Sequence, residues 1–305
     1  MSALILHHYA MSPFSEKIRA MLGYAQLDWQ SVITREMPPR PLLSPLAGGY
    51  RKIPVAQIGA DIFCDSRTIA AEIARLSGRP ELALEQCPAR QRAYVGEVDL
   101  QVFFACVMLA GTPTMRRKFR QSLSLPDMAR FIWDRLNMGR TAAFKPLSGR
   151  AARSRVEAHL DSVDNLLEQD FLFGPQPTHA DFSTYHSLWF LRDLAESPLL
   201  EQHPQTLAWM DRIKAFGHGR RHEISAEQAL EMARQASPRS IPSAQRRDQR
   251  IGQPMQVTPV DYRQTPTTGT LVGVTANSWI LARQQAEVGT VHVHFPQQGF
   301  ALDPA

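Results

Sequence analysis

Cysteine is scarce in this chain of 305 residues, which contains only Cys64, Cys87 and Cys106. An odd number without paired or metal-type spacing argues against a disulfide framework and a structural zinc site. The sequence also lacks an apolar run of about 18 residues, the length that a membrane helix needs. It has no N-terminal basic segment followed by an apolar stretch and a small-residue cleavage site. We therefore expect a cytoplasmic protein with no membrane partner.

A large excess of charge of one sign is also missing. The chain has 34 basic and 29 acidic residues, for a net charge of +5, and its basic residues form short separate groups at 115–120, 219–223 and 245–250. These groups are not interleaved with regularly spaced aromatic residues, and the sequence contains no zinc-finger or basic-zipper pattern. We expect solvated basic faces and no nucleic-acid partner.

The N-terminal part of the chain alternates strand and helix signals. A buried strand at residues 3–9 runs directly into a helix at 13–25, and an alternating strand follows at 29–34. Residues 53–59 and 61–65 then form two short strands joined at Gly59-Ala60, which indicates a hairpin before a helix that ends at Gly78. The predicted order is β-α-β-α-β-β-α, so we assign an α/β domain to residues 1–78.

The pattern of apolar residues changes twice in the rest of the chain. Amphipathic stretches predict an all-α domain over 86–236, and a linker rich in Ser, Pro and Arg follows at 237–254. Alternating apolar residues then predict a small antiparallel β module over 255–305. The predicted helices cover 88–111, 126–145, 150–169, 179–195, 204–217 and 225–236, and the predicted strands cover 270–275, 278–284 and 290–295.

Four short motifs accompany this order of elements. They are Ser12-Pro13-Phe14-Ser15, Ile53-Pro54-Val55, Asp65-Ser66 and the sequence THADF at residues 178–182. Together with the order of elements, they make residues 3–236 resemble the cytosolic glutathione S-transferase family, in its bacterial-like form with a serine-type active-site turn. The resemblance implies a thioredoxin-like N-terminal domain and a helical C-terminal domain. The β module is an addition to that plan.

In that family the catalytic residue lies where the first strand meets the first helix. Ser12 is our first candidate, Tyr9 the second and Ser15 the third. Ser12 also has the position of a helix N-cap, with Pro13 in the first turn. A hydroxyl can accept a helix N–H and donate its own proton to a thiolate, so the two roles are compatible.

The resemblance also implies a glutathione site. Residues Ile53, Pro54 and Val55 correspond to a cis-proline turn whose backbone pairs with the cysteinyl part of glutathione. The pair Asp65 and Ser66 corresponds to residues that hold the γ-glutamyl end, and a helix N-terminus suits a carboxylate there.

Each remaining assignment has a structural alternative. Asp65 or Ser66 alone could simply cap the helix. Lys52 could meet the glycyl carboxylate, or it could be an exposed surface lysine. His292 and His294 share a strand face without a visible third metal ligand, and the capping box in THADF serves folding.

These observations lead to one functional hypothesis and one alternative. We expect a glutathione S-transferase-like enzyme that activates the glutathione thiolate for attack on a small hydrophobic electrophile. Glutathione would be the co-substrate, no metal would take part, and the resemblance implies a homodimer. The alternative is a non-catalytic module of the same fold used for binding or regulation. We expect the β module to pack against the helical domain or a partner subunit without contributing catalytic groups.

Overall fold

We describe the fold from a computed structural model, in which residues 3–122, 130, 133, 147–261 and 265–305 are described. The predicted helix at 126–145 lies outside these residues, apart from positions 130 and 133. No single helix in the described ranges has the length and apolar character of a membrane span. The segments Ala89–Leu109 and Pro113–Gln121 meet that test only as a pair, bent by 91°.

The N-terminal part has the predicted thioredoxin-like order. Its elements are β1 (Leu4–His8), α1 (Pro13–Tyr24), β2 (Asp28–Ile33), α2 (Ser44–Ala47), β3 (Val55–Ile58), β4 (Asp61–Cys64) and α3 (Ser66–Ser77). β1 pairs parallel with β2 and antiparallel with β3, which forms the predicted hairpin with β4. Gly78 ends α3 in the left-handed conformation that a glycine adopts without steric cost.

The second part is helical. Its elements are α4 (Ala89–Glu97), a π-helical turn (Val98–Val102), α5 (Phe103–Leu109), α6 (Pro113–Ser122), α7 (Gly149–Leu166), α8 (His179–Trp189), a second π-helical turn (Phe190–Leu194) and α9 (Pro204–Ala215). The main apolar core is continuous from the N-terminal sheet into these helices. At the start of α8, Asp181 accepts the Thr178 N–H at 2.8 Å and the Trp209 indole N–H at 3.0 Å. This contact confirms the structural role predicted for THADF.

Among its described residues, the last part of the chain adds six strands to the sheet of the N-terminal part. Its elements are β5 (Arg220–Glu223), α10 (Ala226–Arg234), β6 (Pro254–Pro259), β7 (Thr267–Val274), β8 (Ser278–Gln285), β9 (Gly289–Pro296) and β10 (Phe300–Pro304). Within the described residues, ten strands form one sheet in the order β10-β6-β7-β8-β9-β4-β3-β1-β2-β5.

Residues 220–234, which the sequence pattern assigned to the helical domain, lie on the sheet instead. β5 pairs parallel with β2, and Ala229 of α10 is buried in a cluster with Ile5 and Val32. The Gln57 side chain donates to the Ala229 carbonyl at 2.8 Å. The sequence pattern predicted the helix α10 correctly, but a periodic pattern does not indicate which part of the protein the apolar face of a helix packs against.

The C-terminal β module has antiparallel pairing among its own strands, as predicted, but within this chain it packs mainly on the N-terminal sheet rather than on the helical domain. β9 pairs parallel with β4, so the module continues the thioredoxin-like sheet. β4 would otherwise present an edge of unpaired backbone groups, which β9 satisfies. Gly49 permits the close approach of the module, because a Cβ there would lie 2.3 Å from the Pro266 carbonyl oxygen.

Module and sheet also share a hydrophobic core. Leu46, Val55 and Ile62 of the N-terminal part pack in one cluster with Val293 and Phe295 of β9. On β7 the structure buries Leu271 and Gly273 and leaves Val272 and Val274 half-buried. The pairing of β7 with β8 has a register irregularity between Leu271 and Gly273, but the buried positions lie on the same face of the strand on both sides of it.

Five histidines lie in the interior among the described residues. They are His7, His8, His159, His179 and His186. Burial lowers the pKa of His7, His159 and His186 to about 4 and that of His8 to about 3, and it also lowers the pKa of His179. Between pH 4 and 6.5 the unfolded chain therefore binds protons at these positions that the folded chain does not.

We therefore predict that stability falls as the pH is lowered from 6.5 towards 4. Each histidine contributes up to about 1.4 kcal/mol per pH unit in this window, so the melting temperature should drop by roughly 5–10 °C between pH 7.5 and 5.5. Thermal unfolding across this range tests the expectation. His186→Phe should reduce the slope of melting temperature against pH, whereas His222→Asn, at an exposed position, should leave that slope unchanged. Equal slopes in the two variants would contradict the prediction.

Candidate functional site

Two cavities adjoin at the N-terminus of α1, between the N-terminal part and the helices α4 to α6. The larger has a volume of about 460 Å³ and an apolar and aromatic wall that includes Phe103, Phe104 and Val107. The smaller has a volume of about 290 Å³ and more polar surroundings. Phe14, Lys52, and Ile53 line both cavities. A ligand with a polar body in the smaller cavity can therefore present one group to the larger.

Ser12 lies in the wall of the larger cavity and begins α1. Its Oγ accepts the Ser15 N–H at 3.2 Å, which confirms the predicted N-cap. Ser12 is 2% exposed. Its backbone N–H donates to the Tyr9 carbonyl at 3.2 Å, which closes the turn between β1 and α1. A hydroxyl that accepts an N–H in this way keeps its own proton for an acceptor inside the cavity.

The two other hydroxyl candidates differ in access. Tyr9 is partly buried and lines the larger cavity beside Ser12. Ser15 is fully buried and lines neither cavity. Its Oγ has no hydrogen-bond partner within the described part of the chain. The geometry therefore brings Ser12 and Tyr9 to the site and leaves Ser15 beneath it.

The turn before β3 has the expected geometry. The Ile53–Pro54 peptide bond is cis, as the resemblance implied. Ile53 lines both cavities and Pro54 lines the smaller one. Val55 does not reach either cavity, because it is fully buried in β3 opposite Cys64 and His7.

The start of α3 forms the other end of the smaller cavity. Asp65 and Ser66 both line it, and Asp65 Oδ1 accepts the Arg67 N–H at 3.0 Å. Asp65 has a φ of 80°, a backbone conformation that costs a non-glycine residue about 1–3 kcal/mol. Asp65 therefore caps α3 and also lines the smaller cavity. Strained backbone of this kind is often found at ligand-binding sites.

Lys52 is not the free surface lysine that one alternative proposed. Its Nζ contacts the two carboxylate oxygens of Asp261 at 2.7 and 2.8 Å, and it lies 5.7 Å from the centre of the Phe300 ring. Asp261 and Phe300 also line the smaller cavity. Sequence reasoning missed both, because Asp261 is 209 positions from Lys52 and no local motif marks it.

A buried ion pair connects α1 to the helical domain behind the site. Lys17 is 1% exposed, and its Nζ donates to Asp99 Oδ2 at 2.8 Å. Burial alone would raise the pKa of the Asp99 carboxyl, but the Lys17 ammonium overrides this effect and holds the pKa at about 2. Asp99 belongs to the first π-helical turn and borders the smaller cavity. The pair therefore holds the N-terminal part of α1 against the helical wall of the site.

Phe103, Phe104 and Val107 of α5 supply part of the helical wall of the larger cavity. Phe103 is 8% exposed and packs edge-on against Phe14 at 4.8 Å between ring centres, so the same ring belongs to the core and the cavity. Val107, which also lines the larger cavity, is 37% exposed and presents apolar surface there.

Of the two histidines considered as metal ligands, His294 has other contacts, whereas the buried Nδ1 of His292 has no hydrogen-bond partner among the described residues. His294 forms a hydrogen bond with Asp61 at 2.8 Å and stacks on Phe63 at 4.6 Å. Across the described ranges, no group of three or more His, Cys, Asp or Glu side chains has the geometry to hold a metal ion.

Comparison with known proteins agrees with this architecture. Residues 6–81 match the family model for the glutathione S-transferase N-terminal domain, and residues 132–212 match the model for its C-terminal domain. The crystal structure of a GST-like protein from Pseudomonas syringae is 33% identical, with all of each chain covered and a TM-score of 0.74. No curated protein matches this sequence.

More distant structures cover a smaller part of the chain. A glutathione S-transferase from Rhodospirillum rubrum F11 is 24% identical over 70% of this chain and 88% of its own, with a TM-score of 0.46. FzlA from C. crescentus is 22% identical over the same shares, with a TM-score of 0.45.

The fold thus defines a two-domain protein of the thioredoxin-like class with a helical second domain and further C-terminal strands. With the family-model matches and the full-length relative, the chain belongs to the glutathione S-transferase family. The family uses glutathione.

We predict that Ser66→Ala or Asp65→Asn raises the KM for glutathione about tenfold and lowers kcat by much less. Both side chains are expected to anchor the γ-glutamyl end, away from the reacting sulfur, so their loss weakens ground-state and transition-state binding alike. Asparagine has nearly the shape of aspartate and keeps an Oδ1 that can accept the Arg67 N–H, which limits damage to the fold. Steady-state kinetics against glutathione concentration measures the split.

Ser77→Ala, at the opposite end of α3, is the matched control and should leave KM unchanged. Its hydroxyl donates to the Ile73 carbonyl at 2.8 Å and does not line the cavity. A fall in kcat with unchanged KM in the Ser66 variant would instead assign the pair a structural role near the catalytic turn.

Proposed function

We propose that this protein is a glutathione transferase that activates the glutathione thiol at Ser12 for attack on a small hydrophobic electrophile. The observation that carries the proposal is the adjacency of the two cavities. Ser12 faces the apolar one, while Pro54, Asp65 and Ser66 line the polar one. Glutathione in the polar cavity would direct its sulfur past Ile53 towards the Ser12 hydroxyl.

For this reaction Ser12 must stabilise the thiolate form of glutathione more than the thiol form. A free thiol has a pKa near 8.5, so only a few per cent is ionised at neutral pH. A depression of two units requires about 2.7 kcal/mol of preferential stabilisation. A hydroxyl donated to a charged acceptor supplies about 1.5–3 kcal/mol, and a helix N-terminus adds about 0.3–1 kcal/mol. The Ser12 hydroxyl at the start of α1 combines both contributions.

The reaction that follows balances without a metal or a redox partner. The thiol proton leaves to solvent and the sulfur lone pair forms a bond to the electrophilic carbon. In substitution the leaving group departs with its bonding electrons; in epoxide opening or conjugate addition those electrons stay on the product as an alkoxide or enolate, which takes up a proton from solvent. The aromatic wall of the larger cavity supports an apolar acceptor, because rings such as Phe103 and Phe104 bury an apolar substrate effectively. These residues would hold the electrophile beside the sulfur.

Isothermal titration with glutathione, followed by rate measurements with a panel of aryl halides, epoxides and unsaturated carbonyl compounds, tests the proposal. We expect binding in the micromolar to millimolar range and turnover of at least one member of the panel. Binding without turnover of any member would favour the non-catalytic alternative. The absence of binding at millimolar glutathione would overturn the site assignment as well.

A homodimer in the cytoplasm is part of the same proposal, supported by the family membership. Sedimentation equilibrium at several concentrations would measure the oligomeric state directly. A mass of one chain at all concentrations would contradict the dimer.

A further inference from the structure

The C-terminal strands form part of the wall of the polar cavity. Asp261, Gln298 and Phe300 all line it, together with Asp65 and Ser66 from the N-terminal part. The cavity is therefore assembled from the N-terminal part, the helical part and the C-terminal module, so the module is more than external support.

The contact between Lys52 and Asp261 is the central feature of this wall. Both carboxylate oxygens lie within 2.8 Å of Nζ, and the side chains are only 12% and 27% exposed. A pair this enclosed is screened less by solvent than a surface pair. The Phe300 ring, 5.7 Å from Nζ, adds a further favourable contact for the ammonium group.

The position of Lys52 gives this pair a consequence for the ligand. With the γ-glutamyl end at Asp65 and Ser66 and the cysteinyl part at Pro54, the glycyl end extends towards Lys52. A glycyl carboxylate arriving there meets a lysine whose charge is already balanced by Asp261. It also meets the Asp261 carboxylate itself, and like charges at short range in a partly enclosed cavity repel.

We propose that Asp261 determines charge specificity at the glycyl end, so that the site prefers glutathione derivatives whose glycyl carboxylate is masked as an amide or ester. The inference rests on the proposed function, because it uses the orientation of glutathione in the polar cavity. A neutral amide or ester leaves the Lys52–Asp261 pair intact. The Phe300 ring and exposed Val260 then offer apolar contact to the masking group.

Titration calorimetry with two ligands tests this specificity. The ligands are glutathione and its glycyl monoethyl ester, measured against the native protein, Asp261→Asn and Asp303→Asn. The native protein should bind the ester at least as tightly as glutathione. Asp261→Asn should tighten glutathione about tenfold, since it removes the competing charge, and should leave the ester within about twofold.

The ester also reports whether the cavity survives the substitution, because its affinity depends on the same walls but not on the glycyl charge. Asp303→Asn removes a carboxylate from exposed β10, away from the cavity, and should match the native protein with both ligands. An unchanged ratio of the two affinities in Asp261→Asn would overturn the inference alone. Failure of both ligands to bind the native protein would overturn the proposed function with it.

Discussion

Val293→Asp is expected to prevent the protein from reaching a stable fold. Val293 is fully buried in β9 and pairs with Ile62 of β4, in the core that the module shares with the N-terminal sheet. A carboxylate there has no cation to pair with in that apolar cluster, and burial of an unpaired charge is among the few changes that exceed about 4 kcal/mol. Because the total stability of a domain is about 5–15 kcal/mol, one such change approaches the whole of it.

The soluble yield and the thermal unfolding curve would measure this effect. Thr290→Asp places the same charge on an exposed position of the same strand and should leave both nearly unchanged. The N-terminal part should lose glutathione binding together with the module in the Val293 variant, because the two share one sheet. Normal glutathione binding in Val293→Asp would show that the thioredoxin-like part folds independently of the strand that covers β4.

Ser12→Ala is expected to lower kcat by one to two powers of ten with little change in the affinity for glutathione. The lost hydrogen bond acts on the thiolate and not on the groups that anchor the ligand, so the loss appears in turnover. Removal of the N-cap acceptor for the Ser15 N–H should also reduce stability by about 1 kcal/mol. Rates with a saturating electrophile, together with the pH dependence of kcat, separate the two effects.

Two variants serve as controls for this experiment. Ser15→Ala removes a buried hydroxyl that has no partner in the described structure, so activity and stability should remain close to those of the native protein. Tyr9→Phe removes the other hydroxyl that reaches the cavity. If Tyr9→Phe loses turnover and Ser12→Ala does not, the catalytic role passes to Tyr9.

Local motifs could be interpreted correctly because their physics is local. The cap at Ser12, the cap at Asp65 and the capping box at Thr178 each depend on side chains within three positions of the helix start. The cis bond at Pro54 followed from the family pattern, and the order of the first seven elements followed from periodicity. None of these required knowledge of a distant segment.

The sequence by itself determined the thioredoxin-like and helical parts, the cap at Ser12 and the presence of further strands near the C-terminus. Only the tertiary structure decided that β9 pairs with β4, that Asp261 holds Lys52 and that Phe300 lines the polar cavity. The alternation of apolar and polar residues along a strand specifies which of its faces is buried. It does not specify which strand pairs with it, because the backbone N–H and C=O groups at the edge of a strand can pair with any other strand. A pairing between residues 209 positions apart leaves no periodic trace in either segment, so the composition of this cavity emerges only when the chain is folded.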